Sequence, residues 1–234
     1  MVCCQNRGLP CFYNTFPGSI VDVSTLKNLL KYPEEYKLQD FILIMDGGFF
    51  TTSNILSIVN SPMGITVLQP VSFSLKKTKE LVSQHAKSLR NTDTTFRYNE
   101  EIMHRLSVPI CIENQQFTAH IFFNERVELD QRHHFPPTLL DIESEHKTGK
   151  FDSQADAQTC IDLEIPEKLS AFFCWDASSK AIVKNDAKIK ENIAKLGYFI
   201  IMTYSQDMDK QTILHYYRDK DKVEKIFNSS KEFS

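Results

Sequence analysis

The chain lacks the features that mark several large classes of proteins. Its 234 residues contain no apolar stretch near the length of a membrane-spanning helix, about 18 residues. The N-terminus has no apolar segment of signal-peptide length. The chain also has no Gly-rich phosphate-binding loop, nucleophile elbow or internal repeat. We therefore expect a cytoplasmic protein that does not engage a membrane.

Cysteine patterning gives no sign of a metal or disulfide framework. Six cysteines are present, but none forms a CxxC pair and none has the spacing to histidine that zinc sites use. In a cytosolic chain we expect them to be reduced and to pack as small apolar residues.

No large excess of either charge is present, but the charge is unevenly distributed. The net charge of −3 argues mildly against a general nucleic-acid binder, which needs cations to neutralise phosphates. Residues 180–234 contain 11 Lys and Arg against 8 Asp and Glu, a net charge of +3. The first 179 residues contain 16 against 22, a net charge of −6. The basic excess is therefore confined to the C-terminal quarter.

That basic quarter contains the most informative stretch, residues 197–231, which reads as a buried strand, a polar turn and a helix. Tyr217, Lys220, Glu224 and Lys231 follow one another at offsets 0, 3, 7 and 14. At roughly 100° per residue, all four fall within an arc of about 60° on one helix face. A carboxylate flanked by two cations and a phenol is suited to phosphate chemistry near a metal.

A second carboxylate follows a continuous apolar run at 41–45. The run is bounded by polar residues, a pattern that predicts a central strand at 40–46 covered on both faces. It ends at Asp46, which Gly47 and Gly48 follow. Open α/β sheets place ligand groups at the carboxyl ends of such strands. Asp46 and Glu224 could together hold Mg²⁺ or Mn²⁺ if the fold brings them close.

Simpler interpretations of both carboxylates remain open. An Asp at a strand end is often only a turn former or a helix cap. Glu224 can form an exposed i−4 pair with Lys220, worth a few tenths of a kcal/mol. The sequence alone does not distinguish these interpretations from a metal site.

The remaining pattern predicts a mixed α/β fold. Two short strands at 1–4 and 9–16 read as a hairpin, and a further hairpin is expected within 107–123. Single strands are predicted at 65–70 and 198–204. Helices are predicted at 23–31, 51–60, 75–90 and 181–196, with another at 125–146 that Pro136-Pro137 should break or kink.

Three ordered blocks of the sequence resemble the DDE transposases of bacterial insertion sequences, in the subgroup with the signature Y-x2-R-x3-E-x6-K. Tyr217, Lys220, Glu224 and Lys231 match that spacing, with Lys in place of Arg. LPCFYNTFPGSIVDVSTL resembles the family's hairpin strand and the helix that follows it. FILIMDGGFFTTSNI resembles the segment that contains the second catalytic Asp.

The resemblance implies a ribonuclease H-like mixed sheet flanked by helices and interrupted by a β-rich insertion subdomain. We expect the core to comprise residues 1–69 and 197–234, with the insertion at 70–196. The separation of 178 positions from Asp46 to Glu224 also favours an insertion, because neighbouring elements need a far shorter connection.

The resemblance also implies cleavage and transfer of DNA strands by a two-metal mechanism with Mg²⁺ or Mn²⁺. Asp46 would be the second metal-binding Asp and Glu224 the third acidic ligand. Tyr217, Lys220 and Lys231 would contact DNA near the cut. The partners implied are the terminal repeats of the element and a second transposase copy in a synaptic complex.

Two departures from the family pattern lower the expected activity. Gly47 stands where the family often has Arg, and the family's first catalytic Asp lies upstream of the block at which this chain begins. Asp22 reads as a helix cap rather than as that ligand. We therefore expect a truncated, catalytically incomplete transposase with a weakened metal site. The alternatives are a non-catalytic DNA-binding or interaction protein with the same fold, and a metal-dependent nuclease.

Overall fold

The computed structural model has a six-stranded mixed sheet with helices on both faces, which confirms the α/β class. The described residues are 2–4, 9–12, 26, 30–31, 33–37, 41–45, 47, 51–73, 75–146, 151–204 and 208–219, with 2–4, 9–12 and 146 described by their backbone alone. No helix in this part of the chain combines the length and the apolar content that crossing a bilayer requires.

The main sheet has the strand order β3-β4-β10-β7-β6-β5. Only β3 and β4 pair in parallel, and the other neighbours are antiparallel. Two separate hairpins are formed by β1 with β2 and by β8 with β9. The strands are β1 (Val2–Cys4), β2 (Leu9–Phe12), β3 (Ile42–Ile44), β4 (Thr66–Pro70), β5 (Thr95–Tyr98), β6 (Glu101–Ile112), β7 (Gln115–Asn124), β8 (Phe173–Asp176), β9 (Ala181–Lys184) and β10 (Tyr198–Tyr204).

Helices occupy much of the remaining described chain. They are α1 (Thr52–Val59), α2 (Lys76–Leu89), α3 (Glu125–His146), α4 (Gln154–Glu164), α5 (Glu167–Ser170), α6 (Asp186–Ile193) and α7 (residues 210–219). Leu26, Leu30 and Lys31 are helical as predicted, and residues 33–35 are helical beyond the predicted end.

Alternation along the strands divides the core into two layers. In β10, Ile201 packs into an apolar cluster with Ile213 and Leu214 of α7. Its neighbours Ile200 and Met202 point to the opposite face, as the two-residue period of a strand requires. That opposite face is covered by α1, α2 and the helical residues around position 30. The described sheet is thus buried on both sides.

A smaller apolar cluster lies apart from the sheet. It is built around Leu139 of α3, Ile161 of α4, and Phe173 and Ile182 of the β8–β9 hairpin. Strands β5, β6 and β7, by contrast, belong to the same sheet as β4 and β10 although they come from the segment 70–196. The division of the chain at residues 70 and 196 stays a prediction.

Several predicted elements are confirmed. The first two strands pair as a hairpin. Thr51 caps α1 by accepting a hydrogen bond from the Asn54 N–H. The β6–β7 turn places Glu113 and Asn114 at φ of 45° and 66°, the left-handed region that tight hairpin turns use. The strands at 66–70 and 198–204 and helix α2 also lie where the sequence predicts them.

The strand predicted at 40–46 is present, but within the described sheet it is not central. β3 is an edge strand of the described sheet, and its assigned length is Ile42–Ile44. Its apolar character has a different cause. Ile42 and Ile44 pack into the cluster under α7, while Leu43 packs into the cluster on the other face. A strand at the edge of the described sheet can therefore be partly buried on both faces.

Two helix predictions also need correction. The predicted helix at 181–196 begins with β9, because Ile182 and Val183 pair with Trp175 and Cys174 of β8; helix α6 starts only afterwards. Helix α3 continues through Pro136-Pro137, so the predicted break is absent. Each proline removes a backbone donor and its ring crowds the carbonyl four residues earlier, so a kink at this point stays a prediction.

Candidate functional site

Most of the predicted site lies outside the described residues. This applies to Asp46, Lys220, Glu224 and Lys231, while Tyr217 is described. The distance between the two predicted metal ligands is therefore not measured. What the structure gives is the placement of the elements that lead to them: β3, which ends two residues before Asp46, and α7, which contains Tyr217.

The start of α7 is fixed by Asp209. Its carboxylate accepts hydrogen bonds from the backbone N–H groups of Gln211 at 2.8 Å and Thr212 at 3.0 Å, and from the Thr212 hydroxyl. The Thr212 hydroxyl and these N–H groups hold the pKa of Asp209 below its usual range. The arrangement is that of a helix N-cap, which satisfies donors that a helix start leaves unpaired.

The inner face of α7 is anchored on the sheet by aromatic contacts. The Tyr217 ring stacks on Phe199 of β10, with centroids 6.2 Å apart and planes 17° apart. Phe199 in turn stacks on Phe122 of β7, at 5.0 Å and 10°. Tyr217 is partly buried and packs against the cluster formed by Ile213, Leu214 and the sheet. The predicted DNA-contacting tyrosine thus also has a packing role.

Strand β3 reaches the same face of the sheet. Ile42 and Ile44 both pack against the cluster that contains Ile213 and Leu214. The end of β3 is tied to its neighbour by the Met45 N–H, which donates to the carbonyl of Leu68 at 3.2 Å. The strand before Asp46 and the helix of Tyr217 therefore belong to one packed layer, although they are far apart in sequence.

A polar network crosses this face at His120 of β7. The imidazole Nδ1 accepts from the Arg105 guanidinium at 2.8 Å, since arginine can only donate. Nε2 then bears the proton and lies 2.9 Å from the hydroxyl of Thr203. The Ser107 hydroxyl is also 2.8 Å from Nδ1. Burial, reinforced by the Arg105 charge, lowers the pKa of His120 to about 3, so it is neutral.

Arg105 connects this network to α7. Besides His120, its guanidinium donates to the main-chain carbonyl of Met208 at 3.3 Å. Met208 immediately precedes the capping residue Asp209, and its side chain is buried in the cluster beneath α7. One side chain from β6 therefore holds both a core histidine of the sheet and the start of the helix.

A candidate metal cluster is not found in the part of the chain that the structure describes. No group of three His, Cys, Asp or Glu side chains there is arranged to hold an ion. Both predicted ligands, Asp46 and Glu224, lie outside those ranges.

The sequence did not single out the polar network. A usable signal exists in hindsight: His120 interrupts an apolar strand at a position where alternation points to a buried face. Such a residue must find partners, but its partners lie on β6 and β10, and sequence spacing alone does not identify them.

Comparison of the chain with protein-family models, with curated proteins and with solved structures gives no match. The similarity to DDE transposases therefore stays a prediction that rests on the three sequence blocks. The geometry of β3 and α7 is independent of that similarity.

Proposed function

We propose that this chain is the catalytic-core region of a DDE-type transposase with a ribonuclease H-like sheet, a class of enzyme that cleaves and joins DNA strands with Mg²⁺ or Mn²⁺, in a copy that is catalytically incomplete because the first catalytic Asp is not assigned. One observation carries the proposal. Helix α7 and strand β3, which lead to the two predicted metal ligands, pack into the same apolar cluster.

Strand alternation supports a common location for the two ligands. Ile42 and Ile44 point to the face that α7 covers, and Asp46 is two residues further on. If the chain stays extended through Asp46, the period of a strand predicts the same face for it. If α7 continues beyond the described residues, Glu224 lies seven residues after Tyr217, about 10 Å along the axis and on the same stripe.

The donor set fits the metals that the family resemblance implies. Asp46 and Glu224 offer carboxylate oxygens, which are the ligands that hard divalent cations prefer. When bound, the metals would activate the attacking hydroxyl and stabilise charge on the reacting phosphate. In this proposal Asp46 and Glu224 hold the metal, and Tyr217, Lys220 and Lys231 orient the DNA backbone beside it.

Two sequence observations favour a second candidate, a non-catalytic DNA-binding protein with the same fold. Only two acidic ligands are assigned, and Gly47 replaces the cation that often follows the second Asp in the family. A site with fewer carboxylates loses charge and ligands, and its metal affinity falls.

Metal binding by variants separates these cases. Mn²⁺ affinity would be measured by calorimetry for the parent protein and for Asp46→Asn, Glu224→Gln and Asp93→Asn. Asp93 is an exposed Asp in a short 3-10 turn and serves as the control. Loss of a supporting outer-shell group alone costs about 10- to 100-fold in affinity. We therefore expect at least that loss for the first two variants and none for Asp93→Asn.

Nicking of supercoiled DNA in Mn²⁺ then distinguishes a transposase core from a non-catalytic relative. Nicking that Asp46→Asn abolishes shows an active transposase core and overturns the expectation that the site is catalytically incomplete. Mn²⁺ binding without nicking supports the second candidate. Mn²⁺ affinity that neither Asp46→Asn nor Glu224→Gln changes would overturn the shared metal site and the proposal with it.

A further inference from the structure

Strand β6 is longer than the strand that pairs with it on one side. β7 pairs with residues 103–112 of β6, whereas β5 pairs only with residues 101–104. No other strand of the described chain lies beside β6. Residues 105–112 therefore have an edge that no described strand covers. Such an edge presents backbone donors and acceptors to which a strand of another molecule can pair.

Only alternate residues of β6 direct their backbone groups towards this edge. In an antiparallel pair, one residue exchanges hydrogen bonds with the neighbouring strand, and the next directs its N–H and C=O away from it. Pro109 has no N–H, and proline within a sheet occupies positions where the ladder needs no donor. Pro109 therefore belongs to the set that faces the edge, and Ser107 and Cys111 face the same way because they are two residues from it.

A contact from helix α2 agrees with this direction. The Lys77 ammonium donates to the Cys111 main-chain carbonyl at 2.8 Å, across 34 positions of sequence. A carbonyl that faces the edge is open to such a side chain. Two neighbouring edge positions are thus altered in different ways: Pro109 lacks its donor, and the acceptor of Cys111 is occupied.

The side chains at this edge lie in solvent on one face of the sheet. Ser107, Pro109 and Cys111 are exposed, and Lys77 is exposed as well. The residues between them alternate to the other face and pack into the cluster that includes α2. An approaching strand would therefore meet solvent-exposed positions on the first face, and the backbone groups would decide whether it pairs.

We propose that Lys77 and Pro109 keep this edge of β6 from pairing with the same edge of a second copy of the chain. In the antiparallel register centred on Pro109, Ser107 would lie opposite Cys111 of the second copy. The central pair would need the N–H that proline lacks. The Ser107 N–H would need the Cys111 carbonyl, which Lys77 occupies. Lysine and proline are residues with which natural sheets protect their edges.

Self-association of an edge variant tests this inference without metal or DNA. Lys77→Ala/Pro109→Thr releases the carbonyl and supplies the missing N–H, and threonine is polar and favours strands. A two-fold symmetric contact would include each change twice. We expect the dissociation constant for self-association, measured by sedimentation velocity, to fall by at least about tenfold relative to the parent.

A matched control separates the edge from the substitutions themselves. Lys76→Ala/Pro137→Thr makes the same two substitutions at exposed positions of α2 and α3. We expect this control to keep the dissociation constant of the parent. Lys77→Arg retains a donor for the Cys111 carbonyl and should keep it too.

Hydrogen exchange followed by mass spectrometry locates the contact. Exchange would be compared at a low and a high protein concentration for the parent, the edge variant and the control. Residues 105–112 of the edge variant should gain protection at the high concentration, because their backbone N–H groups would then pair with the second copy.

Each outcome decides for or against the proposal. Tighter self-association in the edge variant alone, with protection of residues 105–112, supports it. An edge variant that associates no more than the parent overturns it, as does an equal gain in the control. Association without protection of residues 105–112, or a parent that already associates through them, overturns it too. If thermal melting shows that the double variant is unfolded, the same criteria apply to Lys77→Ala, which changes only an exposed helix position.

Discussion

Arg105 and His120 are in direct hydrogen-bond contact across neighbouring strands, with the guanidinium donating to a neutral imidazole 2.8 Å away. This contact can persist only while His120 is unprotonated, since an imidazolium has no acceptor nitrogen. The network is thus sensitive to pH through His120, and the Arg105 charge also helps to lower the pKa of Asp209.

The first prediction concerns acid stability. His120 has an ordinary pKa of 6.5 when unfolded and about 3 when folded, so the unfolded chain binds a proton that the folded chain does not. The free energy of unfolding should therefore fall as pH drops below about 6.5, by about 2 kcal/mol between pH 7 and pH 5. Urea unfolding at both pH values measures this loss.

The control for that measurement is an exposed histidine. His120→Gln cannot be protonated in this range and should reduce the pH dependence, whereas His133→Gln should leave it as in the parent. Equal pH dependence in His120→Gln and the parent would contradict the neutral assignment of His120.

The second prediction concerns Gly197, which precedes β10. Its φ is +77°, and a Cβ there would lie 2.7 Å from the Glu128 Cβ and 2.8 Å from the Asn124 carbonyl oxygen. Gly197→Ala should lower the free energy of unfolding by about 3 kcal/mol, from backbone strain and overpacking together. Chemical denaturation measures the change.

Gly64 is the comparison for backbone conformation. Its φ is also positive, at +64°. Gly64→Ala should cost about 1 kcal/mol. Similar losses in the two variants would show that steric contact at Gly197 contributes little.

The third prediction concerns the cap of α7. Asp209→Ala removes the acceptor of the Gln211 and Thr212 N–H groups and should cost about 1 kcal/mol. Asp209→Asn retains an acceptor and should cost less. Because the folded pKa of Asp209 is lowered, its contribution is present above the ordinary Asp value and is lost as pH falls through the folded pKa.

Denaturation curves of the two Asp209 variants at neutral pH give the cap contribution. Repeating them in acid should bring Asp209→Ala and the parent closer together. A difference that stays constant down to low pH would show that the carboxylate charge is not part of the cap.

The fourth prediction concerns the aromatic stack beneath α7. Phe199→Leu removes the ring between Phe122 and Tyr217 and should lower stability by about 1 kcal/mol beyond the loss of buried area. If α7 positions Glu224, Mn²⁺ affinity should fall as well.

Phe135 provides the comparison for that experiment. It contacts Phe172 edge-on at 4.9 Å, in the cluster away from the sheet. Phe135→Leu should lower stability but leave Mn²⁺ affinity unchanged. Equal Mn²⁺ affinities in Phe199→Leu and Phe135→Leu would show that the aromatic stack beneath α7 does not position the proposed metal site.

Local patterns predicted the elements that depend on local interactions. The helix that Thr51 caps, the strand β10 and the hairpin that turns at Glu113 and Asn114 are each encoded by residues close together in sequence. The failures involve partners distant in sequence. β9 is a strand because β8 lies opposite, and β3 is at the edge because β10 takes the place between β4 and β7.

In the candidate site too, only the features that depend on nearby residues could be predicted from the sequence. The helical stripe of Tyr217 is a local pattern, and the helix is observed up to residue 219. Its contact with Phe199 and the link from Arg105 to Met208 depend on how strands are ordered in the sheet. Pairing between distant strands leaves little trace in a single sequence, so these contacts were not predicted.

The position of β10 has a consequence for synthesis. It is the only described strand that joins the pair β3-β4 to the group β7-β6-β5. On the ribosome, the two parts can form early but cannot be united until residues 198–204 have emerged. Until then the flanks of β4 and β7 are unpaired and open to association with other chains. Translation that pauses shortly before this strand should therefore favour aggregation of the nascent protein.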